Sequence, residues 1–326
     1  MNREKLQGPS LPTSFGFEKE HELLRSQARR LLAERFDLRA FYDKPTSYRE
    51  LYKELASLGW LATESWLATA LLLEEIGRVL LPLPIAPALL AAQALPPDER
   101  EAVTSGEKLA TVALDTEGPE FRGVPWIESG LFVAPSEGGL FYGDLPEVVK
   151  ESVVDRTKPT ARVSVARVPL RARCEIDLGA MLERAWLLHA AETLGAAEAV
   201  LSMTRDYAIE RRQFDRPIGS YQAVSHPLVN VMIAVENARS LVIAAAAALD
   251  QGGACEVACR MAKVAACEAL WLAANRGVQL HGGFGFTWEC DVHFYFRRAL
   301  YARGALGGSE AHRRRLAALL LDHGVQ

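Results

Sequence analysis

The stretch ERRQFDRPIGSYQA at residues 210–223, followed much later by VQLHGGFGF at residues 278–286, decides how this chain is read. Each comes after a long run of apolar residues spaced by three and four, so each marks the end of a helix. Taken singly, both have an ordinary explanation. Arg211 and Arg212 complement a helix C-terminus, and Gly282, Gly283 and Gly285 make a capping turn. Their order along the chain, with two helices between, is what gives the pair its weight.

Composition bounds what the rest can be. With 326 residues, 49% of them hydrophobic and 24% charged, the chain can bury a large core and divides into two or three domains. Lys and Arg total 37 against 41 Asp and Glu, a net charge of -4, and no basic block is present. A nucleic-acid polyanion is therefore not an expected partner. The opening MNREKLQGPSLPTSFGF has no apolar core of a secretory signal, and the longest apolar runs are alanine-rich and broken by charge or proline. A soluble, cytoplasmic protein without a membrane partner is expected. Of the five cysteines, Cys255, Cys259 and Cys267 fall at helical spacing among alanines, as small apolar residues of a buried stripe do, with Cys174 and Cys290 apart from them. No histidine stands at a metal-ligand offset from them, so neither a metal site nor a disulfide is expected.

Three zones follow, at 1–104, 105–176 and 177–326. The first is helical: EKEHELLRSQARRLLAERF and TSYRELYKELASLGWLA repeat apolar residues at three and four, with Thr46 and Ser47 as candidate caps after Pro45. A helix over 63–79, apolar apart from Glu64, Glu74, Glu75 and Arg78, is expected to be mostly buried. Pro82, Pro84 and Pro87 interrupt it before LLAAQAL resumes. Between 108 and 176 the period changes to short β-branched and aromatic runs divided by Gly, Pro, Ser and Asp, the mark of antiparallel strands and turns. Helices then return over 178–210, 221–250 and 254–280, with a last one after Ser309, and pack as a four-helix bundle on alanine-rich seams. The fold class is mainly α with a small β domain.

Helices, a reduced β-barrel module, then a four-helix bundle is the order of the acyl-CoA dehydrogenases, and the likeness reaches residues. LLLEEIGRVL at 71–80 resembles that family's N-terminal helix, and DRTKPTARVSV at 155–165 its last β-domain strands. ERRQFDRPIGSYQAVSH at 210–226 and VQLHGGFGFTWECDVHFYFRRA at 278–299 resemble its flavin-binding signature. Most of the chain is covered. The resemblance implies FAD as cofactor, bound across a subunit interface, and an acyl-CoA thioester as substrate. It also implies a homo-oligomer or a hetero-oligomer with a second acyl-CoA dehydrogenase subunit, and an electron-transfer flavoprotein as partner of an active form. Arg211 matches the arginine on the cofactor's pyrophosphate, for which a guanidinium is a bidentate fork. Phe214 would stack on the adenine end, Gln222 would hydrogen-bond, and Gln279 with Gly282 and Gly283 would let backbone approach a neighbour's cofactor. Asp215 departs from the family's glycine, with Arg216 a candidate ion-pair partner. The family's threonine-and-glycine strand facing the flavin has no counterpart between 108 and 176, so that wall is expected to be shortened.

The chemistry the family performs needs a base for the α-proton while hydride leaves the β-carbon, and a desolvated carboxylate suits that task. In RGALGGSEAHR at 303–313, register places Leu306 where the family carries its glutamate, and Gly308 and Glu310 where it carries flavin-facing residues. Leucine cannot accept a proton, though its backbone N–H can still polarise a carbonyl. Some relatives place the base near the start of the first bundle helix; that position is Ala185, and Glu183 lies roughly 200° around the helix from it. Ala185, His189 and Glu192 share one face, so a buried Glu192 paired with His189 and raised in pKa is a candidate relocated base. A purely structural His–Glu contact is the alternative, and Glu310 with His312 can be read the same way. Three readings stay open: a dehydrogenase with an unusual base, a non-catalytic subunit supporting a partner's flavin, and a flavin-free acyl-thioester-binding or structural protein on the same scaffold.

Overall fold

A computed structural model describes residues 19–44, 49–62, 64–114, 120–137, 139–164, 170–253 and 255–322. The chain opens with α1 (Lys19–Arg35), α2 (Leu38–Asp43), α3 (Arg49–Ser57), α4 (Trp66–Arg78), α5 (Ile85–Ala94) and α6 (Pro97–Thr104). Pro45, Thr46, Ser47 and Thr63 lie outside the described residues. The third expected helix begins at Trp66, because Ser65 caps it through the Ala68 N–H. The Asp250 carboxylate also accepts from the N–H groups of Trp66 at 2.6 Å and Leu67 at 3.1 Å, filling orphan donors of the first turn.

The middle zone folds into two small sheets. Strands β1 (Ala110–Val112), β3 (Leu131–Ser136), β4 (Gly139–Asp144) and β7 (Leu170–Arg173) form one, in the order β1-β3-β4-β7; β2 (Glu120–Pro125), β6 (Thr160–Ser164) and β5 (Val149–Lys150) form the other. The expectation of antiparallel strands throughout needs a correction. β1 and β3 pair in parallel, because the chain crosses to the second sheet as β2 before it returns. Phe121, Val124, Phe132, Ala134 and Val163 make a small separate core between the sheets.

The last zone holds α7 (Leu178–Glu210), a two-stranded hairpin of β8 (Arg212–Gln213) and β9 (Arg216–Pro217), α8 (Gln222–Asp250), α9 (Glu256–His281), α10 (Val292–Gly304) and α11 (Ser309–Asp322). The α10 helix was not expected from the sequence. Its buried face includes Phe294, Arg298 and Ala302, and an arginine in that row hides the apolar period. By length and composition α8 is apolar enough to cross a membrane, yet it is a bundle helix packed on α7 and α9. Its outward side carries exposed Val229, Met232 and Ile233.

One continuous core runs from α1 through α10. At its centre α4 and α7 cross in backbone contact: a Cβ on Gly77 would lie 1.8 Å from the Glu192 carbonyl oxygen, and one on Gly195 would lie 1.8 Å from that of Glu74. Glycine is required at both positions by this approach. Beside the crossing, Arg25 of α1 donates to Glu74 at 2.7 Å and Arg29 to Glu75 at 2.8 Å, while Arg239 of α8 bridges Glu74 and Glu198. Glu74 and Glu75 are the carboxylates that interrupted the apolar α4 pattern in the sequence; both are buried, and guanidinium groups answer both.

Candidate functional site

A cavity of about 550 Å³ opens where the three zones meet. The proline-rich turn before α5 (Pro82, Pro84, Pro87) forms one wall, Val112, Val124 and Trp126 of the β zone a second, and Ala185, Leu188, Leu300 and Leu306 of the bundle a third. The β zone, short as it is, still closes its side: residues 122–126, 153–155 and 157–160 line the space. Size and apolarity fit an organic ligand.

The floor is ionic. Arg298, 2% exposed, donates from Nε to Asp155 at 2.5 Å, from Nη1 to Glu192 at 3.0 Å and from Nη2 to the Thr157 hydroxyl at 2.6 Å. Lys158 donates to the other oxygen of the Glu192 carboxylate at 2.7 Å. Two cations thus meet two anions, and DRTKP is fastened to α7 and α10. This corrects the expected His189–Glu192 pair. Burial by itself would raise the Glu192 carboxyl, but Lys158 and Arg298 outweigh it and hold the group below the usual carboxylate range. A carboxylate so held is a poor proton acceptor.

His189 has other company. Its Nε2 lies 3.1 Å from the Ala302 carbonyl oxygen and 3.7 Å from the Cys267 sulfur. A carbonyl only accepts, so Nε2 carries the hydrogen and Nδ1 is bare. Burial, with Lys263 nearby, pushes the His189 pKa down to about 3, so the ring stays neutral. Cys255, Cys259 and Cys267 are all buried, as their spacing among alanines predicts, and no cluster of three metal-ligating side chains occurs among the described residues.

The loop joining α10 to α11 is clamped from behind. The buried Lys263 ammonium donates to the Gly307 carbonyl oxygen, and His312 Nε2 lies 2.9 Å from that of Leu306. Arg260 donates to His312 Nδ1 at 3.0 Å, which fixes the hydrogen on Nε2. Leu306 itself is left-handed, at φ 54°, followed by Gly307 at φ 86°. Leucine in this conformation is strained, and the two clamps hold it there. Glu183 does not line the cavity, whereas Ala185, His189 and Glu192 all do. Among the described residues Asp155 and Glu192 are the two carboxylates lining the cavity, and both are committed to cations.

The other sequence-derived residues sit elsewhere, at one end of the bundle. Tyr207, one turn before Arg211, stacks on His281 with centroids 4.2 Å apart, which brings the end of α7 against the end of α9. Arg211, Gln222, Gln279, Gly282 and Gly283 are all exposed there, and Phe214 is 88% exposed. The Arg211 guanidinium has no ion pair among the described residues. Phe214 and Asp215 are both left-handed, at φ 51° and 65°, and Arg212 Nη2 donates to the Asp215 carbonyl at 2.9 Å. Arg216 does not pair with Asp215 as expected; its guanidinium lies 4.0 Å above the Tyr221 ring. Gly282 does end α9, at φ 62°, and no atom lies within 4 Å of where a Cβ would stand on Gly282 or Gly283. Backbone at this end is open to close approach by another body.

Sequence reading missed Lys158, Arg298, Lys263 and Tyr301 as parts of the site. Lys263 had a readable signal, since it stands between Cys259 and Cys267 on the same apolar stripe. The pairing of Asp155 with Arg298 had none, being a contact across 143 positions.

Comparison with known proteins agrees with this architecture. Residues 178–321 match the family model described as acyl-CoA dehydrogenase, C-terminal domain. The acyl-CoA dehydrogenase IpdE2 of Mycobacterium tuberculosis is 36% identical over 237 residues, covering 71% of this chain and 70% of that protein. IpdE2 of Mycolicibacterium smegmatis is 33% identical over 253 residues, covering 76% and 77%. Among solved structures, a variant of the Tcur3481-Tcur3483 steroid ACAD superposes with a TM-score of 0.84 at 27% identity over 94% of this chain and 99% of that one. The ChsE4-ChsE5 complex from Mycobacterium tuberculosis gives a TM-score of 0.81 at 23% identity over 95% and 99%, a likeness of fold. A three-walled cavity between helical and β zones, with an α-helical C-terminal third of this family's pattern, makes the chain a member of the acyl-CoA dehydrogenase family.

Proposed function

We propose that this chain is the base-free, flavin-supporting subunit of a hetero-oligomeric acyl-CoA dehydrogenase that desaturates an acyl-CoA thioester between its α and β carbons. The observation that carries the reading is a contrast of commitment. Arg211, Phe214, Gln222, Gln279, Gly282 and Gly283 face outward, with no ion pair to Arg211 among the described residues, while the described lining of the inward cavity has leucine at the proposed base position and no free carboxylate. A surface of guanidinium, ring, amides and open backbone fits a dinucleotide held by a neighbouring subunit. The similar structures named for two components, Tcur3481-Tcur3483 and ChsE4-ChsE5, support a heteromeric arrangement.

In this assembly Arg211 neutralises the pyrophosphate of FAD, Phe214 covers the adenine end, and Gly282 and Gly283 let the backbone come close. Bound FAD supplies the hydride acceptor, and an electron-transfer flavoprotein is the partner class that then takes the electrons. The chain's own cavity holds an acyl group among apolar walls, where the Leu306 N–H, which has no backbone acceptor among the described residues, can donate to a thioester carbonyl. Leu306 excludes water from the place where a base would stand but moves no proton. The exposed apolar side of α8, which begins at Gln222, lies in the path of the same partner.

The test is the visible spectrum of the protein purified alone and again with a co-expressed dehydrogenase subunit. Flavin bands only in the complex, lost with Arg211→Ala, are expected. Bands in the lone protein would return it to an autonomous dehydrogenase, and none in either state to the flavin-free scaffold. Glu192→Gln separates the base question from cofactor binding: α-proton exchange of the bound thioester should be unaffected, and its loss with flavin content intact would assign the base to Glu192.

A further inference from the structure

Leu306 and Gly307 both line the cavity, and behind them runs a chain of hydrogen bonds whose donors all point toward the loop. It starts at Arg260 of α9, anchored by Nε on the Glu256 carboxylate at 3.0 Å. Arg260 Nη1 donates to His312 Nδ1 at 3.0 Å, and His312 Nε2 donates to the Leu306 carbonyl oxygen at 2.9 Å. The imidazole is held on other sides too. Trp186 of α7 meets it edge to face with centroids 5.3 Å apart, and a Cβ on Gly307 would stand 3.2 Å from Nε2. Burial, with Lys263 and Arg260 nearby, keeps the ring uncharged, so Nδ1 stays an acceptor and Nε2 a donor. Beside it the fully buried Lys263 ammonium donates to the Gly307 carbonyl oxygen and has no carboxylate partner among the described residues. A cation buried on those terms lowers stability, so packing alone does not account for it.

Two successive carbonyls are thus drawn back from the cavity. A peptide unit is planar and trans, so its N–H points opposite to its carbonyl. With the Leu306 carbonyl pulled to His312, the Gly307 N–H is sent the other way, toward the space that Gly307 lines. Leu306 is left-handed at φ 54°, which sets its own N–H to the same side, as in one turn of a helix. Neither N–H has a backbone acceptor among the described residues. We infer that His312 and Lys263 are positioning residues, holding the loop so that two adjacent N–H groups, those of Leu306 and Gly307, converge on one acceptor oxygen in the cavity. Hydrogen bonds in a chain polarise one another, so donation from Arg260 through His312 to the Leu306 carbonyl strengthens the Gly307 N–H of the same peptide. The acceptor is the carbonyl oxygen of a thioester, whose charge such a pair of donors stabilises.

The inference rests on the reading of the cavity as an acyl-thioester site, to which it adds a second donor and the side chains that aim both. Calorimetry and difference infrared spectroscopy of the full-length chain, with hexanoyl-CoA isotopically labelled at its carbonyl carbon, test the two separately. The carbonyl stretch of the bound thioester should lie below that of the free thioester in water. Lys263→Met and His312→Phe should each abolish most of that shift and weaken binding by no more than about tenfold, the worth of one hydrogen bond. His312→Gln, whose amide still has a donor for the Leu306 carbonyl, should keep most of it. Lys263→Met strands no carboxylate, so its melting temperature should be unchanged or higher, and it decides the matter if His312→Phe does not fold. A merely structural role would move the melting temperature and leave the carbonyl band in place. A shift that survives one substitution removes that residue from the role. Binding with the band unshifted, or a shift that survives both substitutions, overturns the positioning and leaves the acyl site standing. If hexanoyl-CoA does not bind, the acyl-site reading falls and takes this inference with it.

Discussion

At the cavity floor Arg298 and Lys158 meet Asp155 and Glu192 within 3.0 Å, every charge answered and almost no surface exposed. At the far end of the bundle Arg211 is exposed and without an ion pair among the described residues, beside an exposed aromatic ring and two glycines open to approach. The same residue type serves opposite ends. A guanidinium in the interior is tolerated only with its counter-charges in place, so it fastens elements together. A guanidinium on the surface without a counter-charge costs the fold little and is available to an anion from elsewhere. The difference teaches where stability and where binding reside in this chain.

The contrast breaks first at the floor. Arg298→Met strands Asp155 and Glu192 without their shared cation, a loss of about 3–5 kcal/mol that should lower the melting temperature by roughly 5–15 °C; a shift under a few degrees would show that the floor is not what joins the zones. Arg211→Ala should do the reverse. Thermal stability of the lone chain should change by less than about 0.5 kcal/mol, while flavin retained by the assembled complex falls by about tenfold, as loss of a charged hydrogen-bonding group predicts. A large stability loss there would mean that Arg211 is structural.

The pH dependence sharpens the inner half. Unfolded, His189 takes a proton below its ordinary value of 6.5; folded, it refuses one until about pH 3. Stability is therefore lost as pH falls from 6.5 toward 3, and His281, His293 and His312, also lowered mainly by burial, act with the same sign. Glu192 acts in a more acidic window, since its depressed carboxyl stabilises the fold above the ordinary carboxylate range and loses that contribution below it. His189→Gln should flatten the melting profile between pH 6.5 and 5 by up to about 1.4 kcal/mol per pH unit; an unchanged slope would mean that its ring charges in place. The smallest effect belongs to Asp215→Gly. It removes a left-handed non-glycine residue at φ 65° and a carboxylate from the outward face, so stability should rise by about 1 kcal/mol and flavin retention in the complex should improve, both read from one thermal and spectral titration.

How much was legible depended on sequence distance. The α7 boundaries stand where the apolar period put them, because a long helix announces itself locally. The residues proposed to face a cofactor were readable for the same reason: each lies in a short stretch whose order along the chain carries the likeness. The floor was not readable. Glu192 and His189 are three positions apart on one helix, which suggested a pair, yet Glu192 is taken by Lys158 and Arg298 and His189 by Ala302, all distant in sequence. The α10 helix was hidden by Arg298, whose burial makes sense only once Asp155 is beside it.

By itself the sequence determined the helical class, the family and the leucine at position 306, since those depend on residue type, period and local order. Tertiary structure decided which charges are spent and which remain available: it turned Arg211 and Phe214 outward, paired Glu192 with Lys158 and Arg298, and placed Tyr301 and His189 in the lining of an apolar cavity. The physical reason is that a polar group's chemistry is set by what surrounds it, and in a folded chain those surroundings come from segments far apart along the backbone.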